Sequence, residues 1–177
     1  MSDSVTGVLR SAVASDIEVM RGIEDRAGEP FDEVGMGAVA QDAPPTVDVL
    51  REFIDAGRAW VCEVDGVVVA YVVVGIVDGN AHLEQVSVDP AFAHRRIGKR
   101  LIDHAMRWAA GEGFATMTLT TFTEVAWNGP YYARIGFRTL PNPGPQLRAI
   151  RAAEVEHGLD QWPRECMGAH VAAWRFD

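Results

Sequence analysis

Val86-Ser87-Val88-Asp89-Pro90-Ala91-Phe92-Ala93-His94-Arg95-Arg96-Ile97-Gly98-Lys99-Arg100-Leu101 changes character halfway along. Its first residues read as the end of a strand, Asp89-Pro90 as a turn, and Ile97 onward as a helix, with Ile97, Leu101, Ala105, Trp108 and Ala109 on one face. The helix therefore starts among His94, Arg95, Arg96, Lys99 and Arg100. The first amides of a helix lack internal partners and carry partial positive charge, so such an end binds phosphate well. A solvated basic helix start without a ligand fits the same letters. A Walker A loop does not, because Arg100 replaces the Ser/Thr and no glycine stands five residues before Gly98. A dinucleotide fingerprint lacks its glycines.

Outward from this run, both flanks read as alternating strands and helices. Upstream, Val8–Ala14 reads as a short strand, and Ser15 or Asp16 as the cap of a helix carrying Ile17, Met20, Ile23 and Ala27. Residues 28–45, rich in Gly, Pro and acidic residues, read as a loop, and Val47, Leu50, Phe53 and Ile54 as a helix stopped by Gly57. Ala59–Val64, Asp65-Gly66 and Val67–Val77 predict a hairpin, and Asp78-Gly79-Asn80 turns the chain into Ala81–Val88. Val67–Val77 is apolar almost throughout, as in a strand covered on both faces. Downstream, Ala115–Thr121 alternates like a strand. Strand, helix and strand make a crossover, so Ala81–Val88 and Ala115–Thr121 are expected to be parallel neighbours. Further expectations are a helix over Asn128–Arg134, a strand over Gly136–Leu140, a helix over Leu147–Val155 and a last strand over Met167–Phe176.

The whole fits a single domain over residues 1–177, with 48% apolar and 23% charged residues. A net charge of -9 argues against a general nucleic-acid binder. The basic cluster in an acidic chain suits a small, highly anionic ligand instead. Cys62 and Cys166 have no CxxC spacing; Cys62 lies in an apolar run and reads as core, and a reducing compartment is expected. The start lacks a signal peptide's apolar run, and Val67–Val77 is too short for a bilayer. A cytoplasmic location and no membrane partner are the expectations.

The run Val86–Leu101 resembles motif A of the GNAT (Gcn5-related) N-acetyltransferase superfamily, where a V-x-V strand precedes a (Q/R)-x-x-G-x-(G/A) loop and helix. Asn128-Gly129-Pro130-Tyr131-Tyr132-Ala133-Arg134-Ile135-Gly136-Phe137 resembles motif B, N…Y-x-x-x-G-F. The two stand in the family's order, and the resemblance extends from Val5 to about Leu140. It implies a mixed α/β fold: a central, mostly antiparallel sheet with one splayed parallel pair, flanked by helices. Ala93 stands where Gln or Arg is usual and Arg96 where the first glycine is usual, whereas Gly98 matches. Right-handed geometry is expected at Arg96, since a left-handed one would strain it.

The resemblance implies acetyl transfer from acetyl-CoA to a primary amine of a small molecule or peptide, by direct attack and without a metal. A longer acyl-CoA as donor, or a coenzyme-binding or regulatory domain without turnover, are the alternatives. The diphosphate is expected on Ala93, His94, Arg95, Arg96, Ile97, Gly98 and Lys99, largely through main-chain N–H groups, with Arg95 or Arg96 adding a direct phosphate contact. Val86, Ser87 and Val88 are expected to grip the pantetheine arm, an amide near Val86 serving the oxyanion. Glu84, with His82 second, is the expected base. The two residues lie two apart on one strand and so share a face. A lysine-like amine with a pKa of about 10.4 costs about 4–5 kcal/mol to deprotonate at pH 7. Tyr132 matches the tyrosine that protonates the leaving thiolate, Asn128 either touches the coenzyme or caps its helix, and Tyr131 packs. Glu24, Glu29, Asp32 and Glu33, near Phe31 and Met36, suit a cationic acceptor with an apolar part, or simply solvate a loop. The Leu147–Trp162 region is expected to cap the site or to form a dimer interface, because homodimers are frequent among similar proteins.

Overall fold

The computed structural model describes residues 7–177; Val5 and Thr6, where the resemblance begins, lie outside them. Seven strands alternate with helices: β1 (Val8–Ser11), α1 (Ile17–Gly28), α2 (Pro30–Glu33), α3 (Gly37–Ala40), α4 (Val47–Asp55), β2 (Ala59–Val64), β3 (Val67–Val77), β4 (Asn80–Val88), α5 (Ile97–Gly111), β5 (Thr116–Phe122), α6 (Gly129–Ile135), β6 (Arg138–Thr139), α7 (Pro145–Glu156) and β7 (Arg164–His170). The strand order is β1-β2-β3-β4-β5-β7-β6. Among the described residues β4 and β5 are the one parallel pair, so the expected mixed α/β, mostly antiparallel sheet is present. Two compact units divide the chain. One runs up to Val74 and takes in Glu84–Ile102; the other holds Gly75–Leu83 and Asp103–Asp177.

In the first unit, β1 pairs antiparallel with β2 from Val8↔Glu63 to Ser11↔Trp60, and β2 with β3. Asp65 and Gly66 have φ of 51° and 78°, the two left-handed residues that let a tight hairpin turn match the twist of its strands. One core cluster joins Ile17, Met20 and Ile23 of α1 and Leu50 of α4 to Ala59, Val61, Tyr71 and Val73 of the strands. The helical spacing seen in the sequence is the stripe that buries there. Asp16 caps by another route than expected. Its carboxylate accepts from the Val13 N–H at 2.8 Å and pairs with Arg10 at 2.7 Å, and a 3₁₀ turn over Ala14–Asp16 precedes α1.

Residues 28–45, expected as loop, contain two single-turn helices instead. Pro30 presets φ for α2, a left-handed Gly35 at 78° ends it, and α3 follows at once.

In the second unit, β4 pairs with β5 at Ala81↔Met117 and His82↔Thr118, a parallel ladder only two pairs long. β5 pairs with β7 over seven residues, from Thr116↔His170 to Phe122↔Arg164. That register corrects the last strand, expected over Met167–Phe176. It starts at Arg164, and after His170 the chain leaves the ladder in a 3₁₀ turn, so that the Trp174 indole N–H reaches Asp103 Oδ1 at 2.7 Å. Asp78 holds the start of α7: its carboxylate accepts from Gln146 N–H at 2.8 Å and Leu147 N–H at 3.0 Å. Glu154 on α7 accepts from the Thr120 hydroxyl of β5 at 2.5 Å and pairs with Arg151 and with Arg164 of β7. Burial alone would raise this carboxyl; the hydroxyl and the two guanidinium groups more than offset it and hold it below its usual range.

Candidate functional site

In the first unit, Asp89 shapes the approach to α5. Its N–H donates to Val69 O at 2.8 Å, its Oδ1 accepts from Ala91 N–H at 3.0 Å, and its Oδ2 takes the Arg26 guanidinium of α1 at 2.8 Å. A 3₁₀ turn over Pro90–Phe92 follows, and then the chain reaches the residues before α5. Here the structure overturns an expectation. Arg96 is left-handed, with φ of 60°, and so is His94, with φ of 61°. Both carry a Cβ, so each conformation costs of order 1–2 kcal/mol. Left-handed residues in such a turn tilt successive main-chain N–H groups toward one side, the arrangement of an anion-binding nest.

The first helix-closing bond of α5 runs from Arg100 N–H to Arg96 O at 3.1 Å. The N–H groups of Ile97, Gly98 and Lys99 come before it and by helix geometry point out of the N-terminal end. The basic side chains divide. His94, Arg95 and Arg96 are exposed, and Arg95 lies 4.9 Å from the Phe92 ring centroid. Lys99 is buried, and Arg100 donates to Gly7 O at 2.6 Å. Of the expected phosphate contacts, Ala93, His94, Arg95 and Arg96 thus offer exposed groups, whereas Ile97 is buried, as is Lys99.

β4 separates the two base candidates. His82 is buried and its Nδ1 lies 2.8 Å from Thr118 Oγ1. Burial pushes its imidazole down to about 4, so it is neutral at pH 7 and a weak proton acceptor. Glu84 is exposed. Their two-residue spacing does not give them a shared environment. Val86 and Val88 are half-buried. Ser87 is buried, its Oγ donating to Glu24 Oε2 of α1 at 2.5 Å and accepting from Gln85 Nε2 at 2.9 Å. The Tyr71 hydroxyl of β3 donates to the same Glu24 oxygen at 2.9 Å. Burial raises the Glu24 carboxyl above its usual range, the two hydroxyls pull it back in part, and Asp25 and Asp42 add to the rise. The sequence reading placed Glu24 in an acceptor loop and missed this link. The signal was Tyr71, a hydroxyl inside an otherwise aliphatic strand, which must find a partner when buried.

In the second unit, Gly129 opens α6 where a Cβ would stand 2.9 Å from Phe122 O. Gly136 ends it with φ of 127°, a conformation open to glycine and not to side-chain-bearing residues. Between them, Tyr132 N–H donates to Asn128 O at 2.9 Å, and Tyr132 O accepts from Gly136 and Phe137. Asn128 therefore starts the helix with its carbonyl, its side chain making no cap bond. The Tyr132 ring is half-buried and packs edge-on against Phe137, with centroids 5.7 Å apart; Tyr131 packs on it at 5.5 Å. Burial, then Tyr131, pushes the phenol above its usual range, so it stays protonated at neutral pH. Among the described residues its hydroxyl has no hydrogen-bond partner.

A short parallel ladder in a mostly antiparallel sheet is the sheet arrangement of the GNAT class. The profile of the acetyltransferase (GNAT) family matches residues 23–137, and the chain belongs to that family. Its fold is similar to that of the PaiA N-acetyltransferase from Thermoplasma acidophilum, solved in complex with coenzyme A (TM-score 0.69, 14% identity, covering 93% of this chain and 98% of that one). It is also similar to the ribosomal-protein-S18-alanine N-acetyltransferase from Escherichia coli (0.65, 17%, 93% and 94%). A third likeness is to N-acetylglutamate synthase from Neisseria gonorrhoeae, complexed with coenzyme A and N-acetyl-glutamate (0.67, 18%, 93% and 35%). Among the described residues no helix is long and apolar enough to cross a membrane.

Proposed function

We propose that the chain works as one acetyltransferase domain that moves an acetyl group from acetyl-CoA to a primary amine of a small molecule or peptide, by direct attack. The observation that carries this reading is the turn before α5. Two left-handed residues and the first-turn amides supply main-chain donors suited to a diphosphate, with Arg95 exposed beside them. These residues fit the diphosphate of coenzyme A without the usual first glycine, because the donors belong to the main chain. Ser87 contributes through its main chain alone, its hydroxyl being committed to Glu24.

Acetyl-CoA brings an activated acyl group with a thiolate to expel. Tyr132 is the proton donor for that thiolate: it is protonated at neutral pH, and its hydroxyl is uncommitted among the described residues. The proton of the amine goes to Glu84, directly or through water, since an exposed carboxylate is in contact with solvent. His82 is poorly suited, because it is buried and its Nδ1 is engaged with Thr118 Oγ1.

Titration calorimetry with coenzyme A, followed by thiol release from acetyl-CoA with a panel of amines, tests the reading. No heat with the coenzyme would sink it, and heat without turnover would favour a binding or regulatory domain. Glu84→Gln is expected to displace the basic rise of the pH–rate profile. A superimposable profile would clear Glu84 of the base role.

A further inference from the structure

Glu24 is a carboxylate held in place from two strands. One oxygen takes both the Tyr71 hydroxyl of β3 and the Ser87 hydroxyl of β4, at 2.9 and 2.5 Å. Tyr71 itself is fully buried. Two donors on one oxygen fix the orientation of the group and leave the other oxygen, Oε1, without a partner among the described residues. Asp25 on its own helix and Asp42 before α4 act on it, both acidic. A half-buried carboxylate beside acidic groups is disfavoured in its charged form, and a ligand that brings a positive charge relieves that. Its position ties it to the reaction, because Ser87 stands between Val86 and Val88, the strand segment assigned above to the thioester arm.

Glu84 is assigned to take the proton of the reacting nitrogen, and a further anion fixed there would stabilise the protonated form and oppose attack. The charge that suits Glu24 is therefore one that does not react. We propose that Glu24 receives a second positive charge on the acceptor, so that the enzyme prefers diamines and basic amines to neutral or acidic ones. This rests on the acetyl-transfer reading above. The Tyr71 and Ser87 hydroxyls position the carboxylate and do not touch the acceptor.

A matched series tests it: 1,4-diaminobutane, butylamine and 4-aminobutanoate share the reacting amine and differ only in the charge at the far end. With acetyl-CoA and thiol release as readout, kcat/KM is expected to fall roughly 10-fold at each step along that series. Glu24→Gln keeps an oxygen for both hydroxyls and removes the charge. It should bring the diamine-to-butylamine ratio to within about 3-fold, chiefly through KM, with coenzyme A affinity kept. Added salt should erode the diamine preference of the native protein and not that of the variant, which a merely structural role would not produce. A native ratio near unity, a ratio unmoved by Glu24→Gln, or no turnover of the diamine by protein that binds coenzyme A overturns the proposal. Absence of coenzyme A binding removes the acetyl-transfer reading itself, and this inference with it.

Discussion

The turn before α5 and the helix α6 carry the two motifs of the family, and they treat sequence in opposite ways. At the turn, Ala93 and Arg96 depart from the pattern, yet left-handed φ values are present at His94 and Arg96, on residues that adopt them at a cost. At α6 the letters match, from Asn128 through Tyr132 to Gly136-Phe137. The difference follows from where the chemistry sits. Main-chain donors survive a change of side chain, provided that the backbone path is kept. A proton donor is a side chain and has no substitute.

The sharpest way to break this contrast is to attack the side-chain half. Tyr132→Phe keeps the ring that packs on Phe137 and removes only the hydroxyl. Turnover is expected to fall roughly 100-fold or more, with coenzyme A affinity unchanged by calorimetry. Unchanged turnover would show that the matching letters of α6 serve packing alone.

The main-chain half is tested next by deleting one donor without changing the charge. Gly98→Pro removes an N–H in the first turn of α5. The chain already tolerates this arrangement, because Pro130 occupies the second position of α6. A hydrogen bond to a charged group is worth about 1.5–3 kcal/mol, so coenzyme A affinity should drop about 10-fold or more while the melting temperature stays close to that of the native protein. Equal affinity would move the diphosphate away from this helix end.

What could be seen in the sequence follows the same division. Asp65-Gly66 and Asp78-Gly79 announced their turns because those residue types adopt positive φ readily, and all four do so here. Tyr132 stood out through its spacing to Gly136-Phe137. The left-handed Arg96 was hidden, because nothing in an arginine signals that geometry. The Glu24 link was hidden for another reason: its partners lie 47 and 63 residues away in the chain. The start of β7 was misplaced because Arg164 and Glu165 look like loop residues. Their register against Phe122 and Thr121 places them in the strand.

The smallest effect is the most pointed one. If the turn acts through its backbone, restoring the missing glycine should change binding little and stability in a definite direction. Arg96→Gly removes the clash of a Cβ in the left-handed region, worth of order 1–2 kcal/mol, against a greater loss of chain entropy on folding, worth about 0.5–1 kcal/mol. From the backbone alone the net is a gain of up to about 1.5 kcal/mol, or up to ~6 °C in melting temperature for a chain of this size. The exposed guanidinium is lost as well, so coenzyme A affinity is expected to weaken by no more than about 3-fold, as for a solvent-screened charge. A 10-fold or larger loss would mean that the Arg96 side chain holds the phosphate directly. The turn would then have exchanged one glycine for a charge, and the contrast between the two motifs would shrink to one of degree.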